Sequence, residues 1–330
     1  MFLDFPLSIL ATSLLAFFVS YFSILWLIKR KVTAVLDYPN SRSLHTVPVP
    51  RVGGAGLLLG VMSGWVAFSG ALPDLVWLGL SALAVISIID DIWKIPVWCR
   101  LIVHALVALG FCITTLLDVH GWLFVMISAL GVIWMSNLFN FMDGSDGLAG
   151  GMVLIGFGYF GLAAYLSGNV DYALVNFSVA AASLGFLFHN FYPARIFLGD
   201  VGAVPLGYLA AVTGLLGWIN EMWSLCLPLL IFSPFITDAT VTLIKRFLRG
   251  EKVWLAHREH YYQRMVQSGF GHRNTALLAY SLMLIVGACA IWANDQEMII
   301  QFMIVIIWGL IYLGLMLMAD LGKKLYSGDT

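Results

Sequence analysis

Apolar residues along the chain come in long blocks, and polar residues collect in the gaps. Eleven blocks stand out: 5–28, 52–73, 75–89, 101–117, 119–137, 147–170, 172–189, 201–220, 222–244, 276–294 and 298–319. A helix crosses the roughly 30 Å hydrocarbon core of a bilayer with about 20 apolar residues. Each block therefore predicts a transmembrane helix. The third is short, and the ninth contains Asp238 and ends in Lys245-Arg246. Edges between closely spaced blocks are soft, so ten or twelve spans stay open. The expected fold is all-α: a polytopic integral membrane protein of about eleven transmembrane helices, with residues 1–330 as a single domain.

Composition agrees and narrows the class. Of 330 residues, 61% are hydrophobic and 11% charged, and the mean hydropathy is +0.93. Soluble domains carry about 25% charge, so polar side chains here are too few to cover a water-facing surface. The formal charge of −1 leaves no basic field for DNA or RNA, and nucleic acid is not an expected partner. Cys99, Cys112, Cys226 and Cys289 lie far apart in apolar stretches. They read as buried small hydrophobes, not as a disulfide framework or a zinc site.

Charge placement sets the orientation. Taken alternately, one set of connections comprises 29–51, 90–100, 138–146, 190–200, 245–275 and the tail 320–330; these hold all 17 Lys and Arg. The other set is very short and carries acids such as Asp74, Asp118, Asp171 and Glu221. The positive-inside rule puts the first set in the cytoplasm and the N-terminus outside. The first block lacks a basic flank before it and has Lys29-Arg30-Lys31 after it, which reads as an N-out anchor rather than a signal peptide. Any site is expected at the cytoplasmic face.

Ionisable residues near lipid are costly and mark function. They cluster at the cytoplasmic ends of the spans: Asp90-Asp91, Asn140 to Asp146 with Asp143 between, Asn190 to Asp200, Asp238, and His257-Arg-Glu-His260 in the long cytoplasmic loop 245–275. Converging carboxylates repel unless a counter-charge is present. Oxygen ligands without cysteine suit Mg²⁺, or Mn²⁺, which carboxylates hold together with substrate phosphates. Each motif has an ordinary reading too. Asp90-Asp91 could cap a helix or pair with Lys94, Asp143-Gly144 could be a turn, and Asp146-Gly147 could open the sixth span. Asp238 could pair with Arg246 or Arg195. Three acidic motifs on one face favour function. His257 and His260, three apart, would share a helix face, in a basic and aromatic loop suited to anionic headgroups. His45 could join that surface. His104, His120, His189 and His272 read as structural.

Five motifs in this order resemble the polyprenyl-phosphate N-acetylhexosamine-1-phosphate transferases, glycosyltransferase family 4. They are Asp37-Tyr-Pro39-Asn40-Ser-Arg42-Ser-Leu-His45 with Pro50-Arg51-Val-Gly53-Gly54; Asp90-Asp91; Asn140-Phe-Met-Asp143-Gly-Ser-Asp146-Gly-Leu-Ala-Gly; Phe197-Leu-Gly-Asp200-Val-Gly; and the histidine loop. The resemblance implies that a polyprenyl phosphate, usually undecaprenyl phosphate, attacks the β-phosphorus of a UDP-amino sugar in a bacterial inner membrane and releases UMP. It implies that Asp200 ligates Mg²⁺, that Asp90 takes a proton from the lipid phosphate, and that Asp91 supports it or the metal. Asp143 and Asp146 would shape the metal and nucleotide site, with Asp146 toward uracil. Asn190 and Phe197 would bind uridine, and Asn140 and Arg51 join the binding set. His257 and His260 would contact diphosphate or sugar.

The late loop departs from the three-histidine run of the phospho-MurNAc-pentapeptide transferases. That points to a simple N-acetylhexosamine, GlcNAc or a 6-deoxy relative such as FucNAc or QuiNAc, for a surface polysaccharide such as O-antigen. A pentapeptide transferase, an ion-coupled transporter and a non-catalytic scaffold of the same fold are the alternatives. The sugar, the lipid length and the oligomeric state stay open, a homodimer included.

Overall fold

The computed structural model describes residues 6–30, 36–38, 44, 48–66, 72–255 and 257–327, the last six without their side chains. The motif residues 39–43 and His45 lie outside the described residues. The fold is all-α and polytopic. Its helices are α1 (Leu7–Lys29), α2 (Gly53–Trp65), α3 (Asp74–Trp93), α4 (Val97–Met142), α5 (Leu148–Leu166), α6 (Val170–Asn190) and α7 (Asp200–Ile219). They continue as α8 (Cys226–Leu248), the short α9 (Tyr261–Met265), α10 (Gly271–Asn294) and α11 (Met298–Ser327). A π-helical turn, Val266–Phe270, joins α9 to α10. Nine helical stretches among the described residues are long and apolar enough to cross a membrane.

Each of the eleven blocks contains helix among the described residues, with two redistributions. At 1.5 Å per residue, α4 would run to about 69 Å if straight, twice the core thickness. It breaks at Gly121 (φ 73°, ψ 174°), a left-handed conformation open to glycine, so its two limbs match the blocks 101–117 and 119–137. The third block, short in sequence, forms the 20-residue α3, whereas the second supports only the 13-residue α2. The expected long loop 245–275 is also shorter. Helix α8 runs on to Leu248, α10 starts at Gly271, and the described residues of 249–255 and 257–260 are non-helical. A two-stranded antiparallel ribbon, β1 (Leu36–Asp37) with β2 (Val49–Pro50), pairs Leu36 with Pro50 and Asp37 with Val49. The block pattern gave no sign of it.

Helices α5, α6 and α7 form the buried centre, while most of the α11 surface is open. Lipid does not squeeze helices together as water does, so small residues that let backbones approach supply much of the packing. At the start of α2, Gly54 packs on the Gly202 backbone of α7, where a Cβ on either would clash. That contact carries the site. Phe197 N–H donates to Pro50 O (2.8 Å), Gly53 N–H to Phe197 O (2.9 Å) and Gly54 N–H to Leu198 O (2.8 Å). These bonds stitch residues 50–54 to 197–198, and so hold the side chains of Arg51 and Asp200 together.

Candidate active site

A cavity of about 1000 Å³ opens at the end of the bundle where the loops carrying Arg51, Asp143, Asp200 and the histidines meet. Asp200 opens α7 after Gly199, whose φ of 71° leads into the helix. Its Oδ1 accepts from Arg51 Nη2 (3.0 Å). Its Oδ2 accepts from Arg100 Nη1 (3.1 Å) and Asn140 Nδ2 (3.3 Å). The same Arg100 nitrogen donates to Asp90 Oδ2 (2.7 Å). Four segments distant in sequence thus share one charge network.

The placement of Asp90 and Arg100 has an electrostatic logic. Asp90 lies in the last turn of α3 and Arg100 in the first turn of α4. A helix dipole disfavours an anion at its C-terminus and a cation at its N-terminus. Each residue is wrong for its own helix, and each corrects the other across the turn. The sequence counted Arg100 only as a marker of orientation. A cation opening a helix ten residues after an acid that closes one was the signal that could have found it.

Arg51 is the hub. Burial works to lower its pKa, but Asp200, Asp37, Asp91 and Asp143 together raise it above the ordinary value. Asp143 follows α4, and its Oδ2 accepts from Gly199 N–H (2.9 Å). Burial, only partly countered by Arg51 and the Gly199 bond, pushes its carboxyl up to about 7. It sits where a cation would be needed to keep it ionised.

Other expected residues divide. Asp143, Asp200, Asn140, Arg51, Phe197, His257 and His260 line the cavity. Asp90 reaches it through Arg100. Asp91 is nearly buried, and its carboxylate has no hydrogen bond to a described residue. Asp146 and Asn190 are not brought to the wall. Asp146 Oδ2 accepts from Ala194 N–H (2.9 Å) and its Oδ1 faces His272 Nδ1 (3.7 Å), which also meets Ser145 Oγ (2.9 Å). Asn190 Oδ1 accepts from Gly147 N–H (3.0 Å), and its Nδ2 donates to Ile196 O (2.9 Å). Both lock the α4–α5 turn onto the loop before α7, and His272 has the structural place expected of it.

The histidines approach by another route than a shared helix face. His257 lies in irregular chain and His260 caps α9, with their ring centroids 4.7 Å apart. The His260 ring stacks near Phe141 and Tyr262. Burial, then the neighbouring His260 and Arg246, lower the His257 pKa to about 4, so it is a neutral imidazole near pH 7. Asp238 pairs with neither Arg246 nor Arg195. Its carboxylate accepts from Tyr261 N–H (2.9 Å) and Tyr262 N–H (3.0 Å), with His260 Nδ1 at 3.4 Å. It anchors the start of α9, where a negative charge suits the dipole. Arg246 instead holds Glu251 and Glu259. The sequence passed over Trp134 and Gln263, and read His104 as structural, yet all three line the cavity together with Asn137.

Among the described residues no three His, Cys, Asp or Glu side chains form a ready metal cage. Mg²⁺ rarely needs one, since one or two carboxylates and substrate phosphates suffice. The buried Asp143 and the unbonded Asp91 carboxylate provide such oxygens, so the residues present fit the cation.

Fold and site together define a multi-pass membrane protein with a charge-lined cavity whose wall also carries amides, histidines and an apolar stretch. Residues 75–217 match the model of glycosyl transferase family 4. The chain is 29% identical over 315 residues, 88% of each chain, to a probable undecaprenyl-phosphate N-acetylglucosaminyl 1-phosphate transferase of Bacillus subtilis. It is 29% identical to a decaprenyl-phosphate N-acetylglucosaminephosphotransferase of Mycobacterium tuberculosis, covering 79% of this chain and 76% of that one. A phospho-N-acetylmuramoyl-pentapeptide-transferase of Listeria welshimeri is 36% identical, but over 40% of each chain. Across its middle the chain is thus similar to glycosyl transferase family 4, and over most of its length to relatives named as polyprenyl-phosphate N-acetylglucosamine-1-phosphate transferases.

Proposed function

We propose that the protein transfers an N-acetylhexosamine-1-phosphate from a UDP-sugar to polyprenyl phosphate, such as undecaprenyl phosphate, at the cytoplasmic side of a bacterial inner membrane. The single observation that carries this is the cavity in which Arg100, Asp200, Arg51 and Asp143 converge beside apolar residues, with Asp90 tied in through Arg100. Phosphoryl transfer asks the protein for alignment and charge stabilisation more than covalent help. An oxygen of the lipid phosphate bonds to the β-phosphorus of the UDP-sugar, the bond to the bridging oxygen breaks, and UMP leaves with the electron pair. Asp90 accepts the lipid phosphate's proton where one is present. Arg51 and Arg100 hold phosphoryl oxygens against their mutual repulsion. Asp143 and Asp91 would hold Mg²⁺, with Asp200 joining them on giving up an arginine contact, and the cation would supply charge to neutralise the diphosphate. Phe197 offers a ring to the base, and His257 and His260 offer neutral and capped imidazoles to the sugar or diphosphate.

The donor is a simple N-acetylated hexosamine, GlcNAc or a 6-deoxy relative, and the product starts a surface polysaccharide such as O-antigen. The pair His257 and His260, in place of a three-histidine run, supports this over a peptide-bearing donor. The test is purified protein with undecaprenyl phosphate and a panel of UDP-amino sugars, with and without Mg²⁺. UMP release with a matching lipid diphosphate sugar by mass spectrometry is expected. No release with any donor, together with solute flux in liposomes, would replace the transferase by a transporter.

A further inference from the structure

His104 reads in the sequence as a structural histidine, but its surroundings give it nothing to hold. It is 5% exposed, makes no hydrogen bond or ion pair to a described residue, and its Nδ1 is sealed from solvent without a partner. Its ring nevertheless lines the cavity. A buried polar nitrogen left unpaired costs stability, while an apolar residue of similar size would not. The sealed Nδ1 stays unpaired in either case, but Nε2, which has no hydrogen bond to a described residue and is not sealed, is the nitrogen this cavity-lining ring has to offer a ligand.

Its depth says which ligand. Helix α4 starts at Val97 on the charged face and runs toward the break at Gly121. His104 stands one turn beyond Arg100, about 6 Å farther from that face. Around it the wall is largely apolar: Leu101, Leu130, Ile133, Trp134 and Val204. A nucleotide arriving from water meets Arg51, Asp143 and Asp200 first. A phosphate tethered to an isoprenoid approaches the same charged layer along the apolar wall, past His104.

On the transfer reading given above, we propose that His104 is a binding residue for the acceptor, its Nε2 hydrogen-bonded to an oxygen of the polyprenyl phosphate on the membrane side of the Arg100–Asp200–Asp90 layer. It selects and seats the lipid headgroup, and takes no part in holding the sugar nucleotide.

The experiment measures KM and kcat for undecaprenyl phosphate and for the UDP-sugar separately, in wild type, His104→Leu and His104→Gln, with a thermal melt of each purified protein. In His104→Leu the KM for the lipid should rise about tenfold or more, while the KM for the donor stays unchanged. His104→Gln, which keeps a donor group, should recover most of the loss. Because the leucine removes an unpaired nitrogen, its melting midpoint should stay level or rise. An unchanged lipid KM overturns the proposal, and so does a rise confined to the donor KM. A lowered midpoint without recovery in His104→Gln would return the residue to a structural role. If His104→Leu does not yield folded protein, His104→Phe keeps the ring size without nitrogens and meets the same criteria. Wild-type protein that releases no UMP with any donor defeats the transfer reading itself. Wild-type turnover with an indifferent His104→Leu defeats only this inference.

Discussion

The carboxylate–arginine cluster and the histidine segment line the same cavity, yet they are built in different ways. The cluster is drawn from the ends of α2, α3, α4 and α7, stitched by backbone hydrogen bonds between residues 50–54 and 197–198. Its carboxylates are nearly buried, and the partly exposed Arg51 and Arg100 reach in to pair with Asp90 and Asp200. The histidine segment hangs between α8 and α9. Arg246 and Arg249 hold it through Glu251 and Glu259, and Asp238 anchors its far end. Asp320 near the end of α11 adds an outer clasp, pairing with Lys245, Arg264 and the Tyr261 hydroxyl. Breaking a buried pair leaves a stranded charge and costs about 3–5 kcal/mol, whereas exposed pairs are each worth roughly 0–1 kcal/mol. One side of the cavity is therefore a fixed electrostatic template. The other is a segment tied from buried Arg246 and Asp238 to partly exposed glutamates and to backbone amides, with fewer carboxylate–arginine pairs inside the protein.

That contrast can be broken at several points. The largest effect is expected at the template. Arg100→Met leaves Asp90 and Asp200 without their shared cation, and should cut UMP release about a thousandfold. Asp200→Asn should be comparably inactive, with no recovery on raising Mg²⁺. Turnover within tenfold of wild type in either variant would remove the network from the chemistry.

Next comes the anchor of the histidine segment. Asp238→Ala removes the acceptor of the first two amides of α9, a cap worth about 1 kcal/mol, and should lower kcat about tenfold in a protein that still melts cooperatively. Equal losses from Asp238→Ala and Arg100→Met would erase the distinction between template and histidine segment. Smaller still is the outer clasp. Asp320→Asn should slow turnover about twofold, and raised salt should bring wild type toward the variant, since exposed pairs are screened. A salt-independent, large defect would show that the clasp is as rigid as the cluster.

The smallest effect concerns pH. The folded protein holds the His257 pKa near 4, below its ordinary 6.5. Protons therefore favour the unfolded chain, so this stabilising contribution is full above about pH 6.5 and fades as pH falls toward 4. The melting midpoint of His257→Gln should depend less steeply on pH than that of wild type across this window. Identical slopes would mean that the imidazole is not held neutral.

Much of this was legible before any coordinates. Each apolar block became a helix because block length against bilayer thickness is a one-dimensional quantity. The carboxylates at the helix ends could be found for the same reason: charge is excluded from the core, so it must gather at the ends. Less legible was which side chain meets which. Asp146 and Asn190 sit in motifs as suggestive as that of Asp200, but their polar atoms are spent on Ala194, Gly147 and Ile196. Asp238, expected beside an arginine, found two backbone amides instead.

What the sequence determined by itself was an all-α, multi-pass architecture with its charged residues gathered at helix ends, a consequence of the cost of polar groups in hydrocarbon. The tertiary structure alone decided that Arg100 joins Asp90 to Asp200, that the two histidines approach through a turn, and that His104 faces the cavity without a partner. Arg100 and Asp200 are 100 residues apart, and their meeting depends on how glycine-lined helices seat against each other, which no local pattern encodes.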